Sequence, residues 1–355
     1  MTNPRVLIVG AGPTGLTAAV ELARRGIMPV VIEKRKSVSH LSRAVGILPR
    51  SMDILGPSGV AKAIRAEAIT FRRAIFHTNG EQLASLPLNS HKNRKNRLFG
   101  LPQDQTELHL RNAFIALGGK INYGAELLSL SQSDAGISVS ILGKAFRFDT
   151  VIGADGTNST VRETMRIPYN GYELAGLWSI ADVDAVGWKA PRAFQGYILD
   201  QGGVVVVVPL TKNRFRVIAN RPYALASLPV PMNIAKLYRA ANFTISVRQA
   251  ETYQIGHVFL AGDAAHCHSP VGGRGMNLGI ADAADLAERI VNGTTDGYHA
   301  ARHPVGRATI KQSERARRII TSTHPAIRFF LRSFLQLARH SPLLQRRFLK
   351  NALDL

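Results

Sequence analysis

Residues 6–15 read Val6-Leu7-Ile8-Val9-Gly10-Ala11-Gly12-Pro13-Thr14-Gly15, a β-branched apolar run that ends in three glycines. Such a run has the composition of a parallel strand buried on both faces. Leu16 to Arg25 follows with a helical pattern, and Gly26 stands where a helix C-cap belongs. Pro29-Val30-Val31-Ile32 reads as a second strand and ends in Glu33. In such a turn Gly10 permits the tight bend, Gly12 lets the backbone approach a pyrophosphate, and Gly15 lets helix and strand pack closely. The pyrophosphate sits on the positive end of the helix that Pro13 and Thr14 open. Glu33 is placed to accept a hydrogen bond from a ribose hydroxyl. Glycines alone are a weak signal; the strand before, the helix after and the acid ending the next strand make a dinucleotide site. The motif leaves FAD and NAD both open.

Two distant segments choose between them. Thr150-Val151-Ile152-Gly153-Ala154-Asp155-Gly156 reads as another buried strand, and Thr157 to Arg162 opens a helix rich in N-capping types. In isolation this is equally a capped helix after a turn. His257 to Ala261 is a third strand, followed by Gly262-Asp263-Ala264-Ala265-His266. A loop with Pro270, Gly272, Gly273 and Gly275 then leads into a helix that starts Met276-Asn277. A carboxylate at a strand end can hold ribityl hydroxyls. A glycine loop and a helix N-terminus put N–H groups and a positive dipole beside a flavin that becomes anionic on reduction. The three segments together select FAD.

With GAGPTG at 10–15, GADG at 153–156, and GDAAH at 262–266 followed by SPVGGRGMN at 269–277, the sequence resembles the FAD-dependent aromatic hydroxylases. These are the single-component flavoprotein monooxygenases related to para-hydroxybenzoate hydroxylase, and the resemblance covers about residues 1–310. It implies an α/β fold: a Rossmann-type FAD-binding domain with an inserted, mostly antiparallel β-sheet substrate domain and C-terminal helices. The expected division is 1–70, 101–165 and 251–310 for FAD, 71–100 and 166–250 for substrate, and 311–355 for the basic C-terminal helices. Arg43 looks like the arginine that meets the FAD pyrophosphate and the nicotinamide cofactor in transit, and Gln103 like a flavin-contacting glutamine. Asp155 and Gly156 resemble the motif serving both FAD and NAD(P)H. Asp263, after Gly262, resembles the ribityl ligand, and Pro270 the residue near the reactive edge, with Gly273, Gly275, Met276 and Asn277 following it. The resemblance further implies that NADPH or NADH binds transiently and reduces FAD. O2 then forms a C4a-hydroperoxide that hydroxylates an aromatic, phenolic or polyketide-like small molecule. The chain departs from the pattern at Lys34, where an arginine commonly follows the acid and Arg35 is the substitute. It is also short between Asn220 and Glu251 and carries no thioredoxin-like extension.

Between the cofactor segments, Phe71–Thr78, Gly176–Val183, Ala193–Leu199, Val204–Leu210 and Arg214–Ala219 read as antiparallel strands. Asp200 to Gly203 and Lys212-Asn213 are their turns. Trp178, Phe194, Tyr197 and Phe215 are core aromatics or pocket walls. The basic stretch 90–97, SHKNRKNR, lacks interleaved aromatics and reads as a solvated loop, so no nucleic-acid partner is expected. Lys and Arg number 45 against 24 acids, a net charge of +21, and the last 55 residues carry +10 of it. Helices are expected at Arg307–Thr321 and Pro325–Arg339, the second with Ile327, Phe330, Leu331, Phe334 and Leu337 on one side. A basic amphipathic helix can lie on an anionic membrane, but packing of the apolar side on the body is the simpler expectation. No uncharged apolar run spans a bilayer, the first strand leaves no room for a leader, and Cys267 is the single cysteine. A soluble cytoplasmic protein is expected, with its oligomeric state open.

For catalysis the sequence offers His266 and His268 as possible bases, with a solvent-facing or supporting placement the simpler reading of both. Neighbours on one short loop make a poor metal site, and none is expected. Rival readings on the same fold are a prenyl reductase, a halogenase, or a non-catalytic binding protein. Neither Trp178 nor Trp188 has the paired tryptophan of the halogenases, and intact GADG and GDAAH argue against a protein without flavin.

Overall fold

The structure is a computed structural model and describes residues 3–38, 44–78, 81–88, 97–134 and 136–353. Strand Val6–Val9 is enclosed because a parallel strand lies on each side, Val30–Glu33 and Thr150–Gly153. The full sheet runs Gln254–Ile255, Val258–Leu260, Thr150–Gly153, Val6–Val9, Val30–Glu33, Ile121–Tyr123. Its strands are parallel except the edge pair of Gln254–Ile255 with Val258–Leu260. Val9 lies opposite Gly153, and Gly153 opposite Leu260. The three glycine-bearing segments therefore leave the sheet side by side at its carboxyl edge, where open α/β sheets bind ligands. Helices Pro13–Ala23 and Gly275–Asn292 pack on each other behind that edge.

A second, seven-stranded sheet runs Ile234–Phe243, Trp178–Ala185, Arg214–Ala219, Val204–Pro209, Ala193–Ile198, Arg73–Thr78, Glu81–Pro87. It is antiparallel but for the pairing of Ala193–Ile198 with Arg73–Thr78. The strands expected from the sequence are present, some shifted by a residue or two. The two edge strands, Glu81–Pro87 and Ile234–Phe243, were not read. Ile234–Phe243 is exposed along most of its length, so it lacks the apolar alternation that marks a half-buried strand, and Lys236 and Arg239 suit an open edge.

Alternation sorts this sheet's side chains. Tyr197, Val205, Val207, Phe215 and Val217 face away from the cofactor sheet, under Trp188, Leu225 and Leu228. Phe76, Phe194, Val206 and Val208 face Val45 and Leu98, and Trp178 and Ile218 face Val271 of the glycine loop. Phe194 and Trp178 thus lie on the cofactor side, while Tyr197 and Phe215 are core of the far side. On the cofactor side Arg216, fully buried, donates from Nε and Nη2 to both oxygens of Asp182, 2.7 Å each.

A small sheet of Tyr169–Glu173, Ser246–Ala250 and His266–Cys267 stitches the substrate stretch to the GDAAH segment. The chain ends in helices Tyr298–Ile320, Pro325–His340 and Pro342–Leu353. The first begins ahead of the expected Arg307 and runs through Pro304. No helix among the described residues is long and apolar enough to cross a membrane. Phe215 is 1% exposed, so Phe215→Ala should cost about 3–5 kcal/mol of stability, read as a fall in the urea midpoint; a loss below about 1 kcal/mol would show a loosely packed far side.

Candidate flavin site

The turn after Val6–Val9 is fixed by contact distances. A Cβ on Gly10 (φ +105°) would lie 2.4 Å from the Ala154 carbonyl oxygen, and one on Gly15 would lie 1.9 Å from that of Gly10. A Cβ on Gly12 meets nothing within 4 Å. Gly10 and Gly15 are therefore demanded by the protein's own packing, whereas the space at Gly12 is left open. Helix Pro13–Ala23 starts there without a side-chain cap. Thr14 is wedged between the segments: a Cβ on Gly262 or Gly279 would come within 2.4 or 2.3 Å of its Oγ1.

Glu33 is buried and accepts hydrogen bonds from the Ala11 N–H (2.9 Å) and from Arg35 N, Nε and Nη2 (2.9, 3.0 and 3.0 Å). Burial alone would raise its pKa, but the Arg35 and Ala11 donors outweigh that and hold the carboxyl below its usual range. Lys34 points to solvent, and Arg35 takes the cationic role beside the acid. Arg43 lies outside the described residues.

Gln103 opens helix Gln103–Ala116. Its Oε1 accepts from Ala44 N (3.1 Å) and its Nε2 donates to Glu107 (2.9 Å), so it anchors the segment just after Arg43. Asn277 is likewise a clamp: Oδ1 accepts from Leu48 N and Ser51 Oγ (2.8 Å each), and Nδ2 donates to the Gly46 and Gly273 carbonyls (2.9 and 3.0 Å). Next to it, Gly275 begins helix Gly275–Asn292, which has no side-chain cap, and Met276 is buried in its first turn. Pro270 is exposed at the head of this loop, and its carbonyl accepts from Gly273 N (3.0 Å).

The Asp263 carboxylate is exposed beyond strand Val258–Leu260. Asp155 accepts from Val161 N (3.1 Å) through one oxygen, while its Oδ1 is buried without a partner. Burial pushes its pKa up despite the donors around it. Space beside Gly156 is open.

The structure corrects one of the two histidine candidates, His266. His266 is 1% exposed and donates from Nε2 to Asp282 at 2.6 Å. Asp282 also accepts from Gly262 N (3.2 Å) and Arg302 Nε (2.7 Å). Burial would raise the Asp282 pKa, but His266 and Arg302 together hold it low. His266 is therefore one arm of a buried charge network and has no open path to a substrate. His268 donates from Nδ1 to the Ser269 carbonyl (2.8 Å), which leaves its Nε2 buried without a hydrogen-bond partner, and burial lowers the ring's pKa. The sequence reading passed over Asp282, Arg302 and Arg162. Arg162 donates to the Ala264 and Thr157 carbonyls (3.0 and 2.8 Å) and stacks on Tyr169, tying the GADG segment to GDAAH. A lone acid inside the apolar run Met276–Ala283 was the signal available for Asp282.

These residues fit FAD. Two uncapped helix starts, open space at Gly12 and Gly156, an unpartnered buried oxygen on Asp155 and a free-standing Asp263 all converge on one sheet edge. A family model described as FAD binding domain matches residues 3–229 and 227–313. The chain belongs to the FAD-dependent aromatic hydroxylase family. It is 30% identical over 356 residues to rifampicin monooxygenase of Streptomyces venezuelae, covering 90% of this chain and 72% of that one. Pentachlorophenol 4-monooxygenase of Sphingobium chlorophenolicum is 32% identical over 351 residues, 89% and 64% of the two chains. The fold matches p-nitrophenol 4-monooxygenase PnpA of Pseudomonas putida DLL-E4 with a TM-score of 0.89, at 22% identity and covering 99% and 98%. The family is one of FAD-dependent monooxygenases for which NAD(P)H is the typical co-substrate.

Two substitutions separate packing from cofactor contact. Gly12→Ala should fold with an unchanged apo melting temperature but weaken FAD at least ~10-fold, about 1.4 kcal/mol. Gly15→Ala should lose stability with or without FAD; equal behaviour of the two in FAD titration and melting would refute the assignment. For Asp282→Asn, breaking the buried network should cost about 3–5 kcal/mol at neutral pH. Its lowered pKa sets the sign. The carboxylate's contribution is complete above the unfolded value near ~4 and is lost as pH falls through the still lower folded value. The urea-midpoint gap between wild type and variant should therefore shrink below about pH 4; a gap independent of pH would remove Asp282 from this role.

Proposed function

We propose that the protein is an NAD(P)H-consuming monooxygenase that hydroxylates a phenolic or polyketide-like small molecule. The observation that carries this reading is the opposition of two surfaces. The open glycine edge of the cofactor sheet faces the side of the seven-stranded sheet that carries Trp178, Ile218, Val206 and Phe194. Bound FAD would supply the electron uptake from the nicotinamide and the activation of O2.

The chain's own residues do the rest. Gly12 and the start of helix Pro13–Ala23 receive the pyrophosphate, and Asp263 takes ribityl hydroxyls. The uncapped start of helix Gly275–Asn292 would offset negative charge on the flavin. The apolar wall orients a flat substrate and keeps water from the reacting edge. With His266 committed to Asp282, His268 is the remaining candidate base, and the chain supports this chemistry chiefly by placement and exclusion. Only one nucleotide fingerprint exists, so the nicotinamide cofactor binds in passing, with Arg43 and Asp155 as its contacts.

The test is anaerobic addition of NADPH or NADH to the FAD-loaded protein, followed by a phenol panel under 18O2. Bleaching of the flavin bands and a product carrying one 18O atom are expected. Saturation of a double bond without oxygen incorporation would favour the reductase reading. A protein that does not take up FAD at all would leave only a binding role.

A further inference from the structure

Helix Pro325–His340 has two apolar stripes, and only one is covered. Leu335 and Ala338, with half-buried Leu331, pack on Leu83, Ala84 and Ile198 of the seven-stranded sheet. Arg328 pins the helix in that orientation: Nη1 donates to the Leu199 carbonyl and Nη2 pairs with Asp200, 2.9 Å each. The expectation that the whole apolar side packs on the body is therefore corrected: of the five residues named for it, only Leu331 does. Ile327, Phe330, Phe334 and Leu337, spaced i, i+3, i+7 and i+10, are 40%, 70%, 42% and 63% exposed, and Phe329 is 67% exposed. Three outward phenylalanines on one helix form a patch that water penalises and that nothing in the chain relieves among the described residues.

The border of this patch is cationic. Arg332 lies one turn from Phe329, and Arg339 two turns further along the same side of the helix; neither enters an ion pair among the described residues. Arg339, His340 and Gln82 line two adjoining surface cavities of about 430 and 310 Å³, the first with Arg73 and the second with Arg332 and one carboxylate, Glu81. From 315 to 353 the sequence holds nine Lys and Arg and no Asp or Glu. A second copy docked here would bring those charges against their own kind, whereas an anionic surface would neutralise them.

We propose that the face made by Pro325–His340 and the start of Pro342–Leu353 docks on an anionic lipid bilayer. Phe329, Phe330 and Phe334 enter the acyl boundary, and Arg332 and Arg339 hold headgroup phosphates. An amphipathic helix lying in the interface plane uses this division of labour. Leu343, 74% exposed at the start of the next helix, extends the apolar band. The inference stands apart from the flavin chemistry and would hold whatever the substrate.

The test is co-sedimentation of the FAD-loaded protein with vesicles of phosphatidylcholine alone or mixed with phosphatidylglycerol. Sedimentation velocity without lipid is run alongside. Binding to the anionic vesicles should be at least ~10-fold tighter than to the neutral ones and should weaken with salt. Phe330→Ser with Phe334→Ser should lose at least ~10-fold of that binding, and Arg332→Gln with Arg339→Gln should lose the preference for anionic lipid. Both variants should keep the wild-type flavin content, since they alter only exposed side chains. Equal partition into neutral and anionic vesicles would overturn the proposal. So would a wild-type dimer that the phenylalanine variants return to monomer, which would assign the face to a second copy. Binding abolished by inorganic phosphate but kept by the phenylalanine variants would reduce the site to a phosphate cavity and equally overturn it.

Discussion

One buried carboxylate organises the region under the cofactor edge. Asp282 sits in the middle of helix Gly275–Asn292 with no solvent exposure, and a charge there is tolerable only if it is fully paired. Its partners come from three places: the N–H of Gly262 at the end of a sheet strand, His266 on the following short strand, and Arg302 on helix Tyr298–Ile320. Each partner is thereby held in place. Helix Tyr298–Ile320 is consequently part of the cofactor architecture. Tyr298 donates to the Leu260 carbonyl at 2.9 Å, and Gly306 leaves room for the Tyr253 hydroxyl, which a Cβ there would approach to 2.2 Å.

Above this network glycine backbones make the closest contacts. Gly10 touches Ala154, Gly15 touches Gly10, and Thr14 fills the gap between Gly262 and Gly279. Three chain segments far apart in sequence meet so closely that only the small Thr14 side chain fits between Gly262 and Gly279. The same close approach that forces glycine is what clears space for a dinucleotide. Glu33, itself held by Arg35, braces the turn from the side by accepting from the Ala11 N–H.

That is why the cofactor seat was legible in the sequence and its surroundings were not. Gly10, Gly15, Gly153 and Gly262 are dictated by distances that no other residue satisfies, and Gly12 by the space it leaves open, so they surface as motifs. His266 looks identical in sequence whether it is a base or a partner of Asp282; the pairing spans 16 residues and two elements, and only the fold reveals it. Asn277 and Gln103 both belong to the expected flavin set, yet their polar atoms hold the protein's own loops. Strand Ile234–Phe243 escaped because an exposed edge needs no apolar alternation. On helix Pro325–His340 the periodicity announced an apolar side but could not say which of two neighbouring stripes the sheet would cover.

The substrate wall obeys a looser rule. Trp178, Phe194 and Val206 are held to the cofactor side only by strand parity and by the need to fill volume, conditions that many apolar residues meet equally well. Nothing at those positions involves a backbone approach comparable to the 1.9 Å conflict that fixes Gly15. A family can therefore keep its flavin seat nearly letter for letter while its substrate face drifts. The buried Asp182–Arg216 pair is the exception on this face, because removing either partner would strand a charge in the interior. It fixes one polar point on a wall that is otherwise free to change, so a change of substrate can proceed through the apolar positions around it without disturbing the cofactor edge opposite.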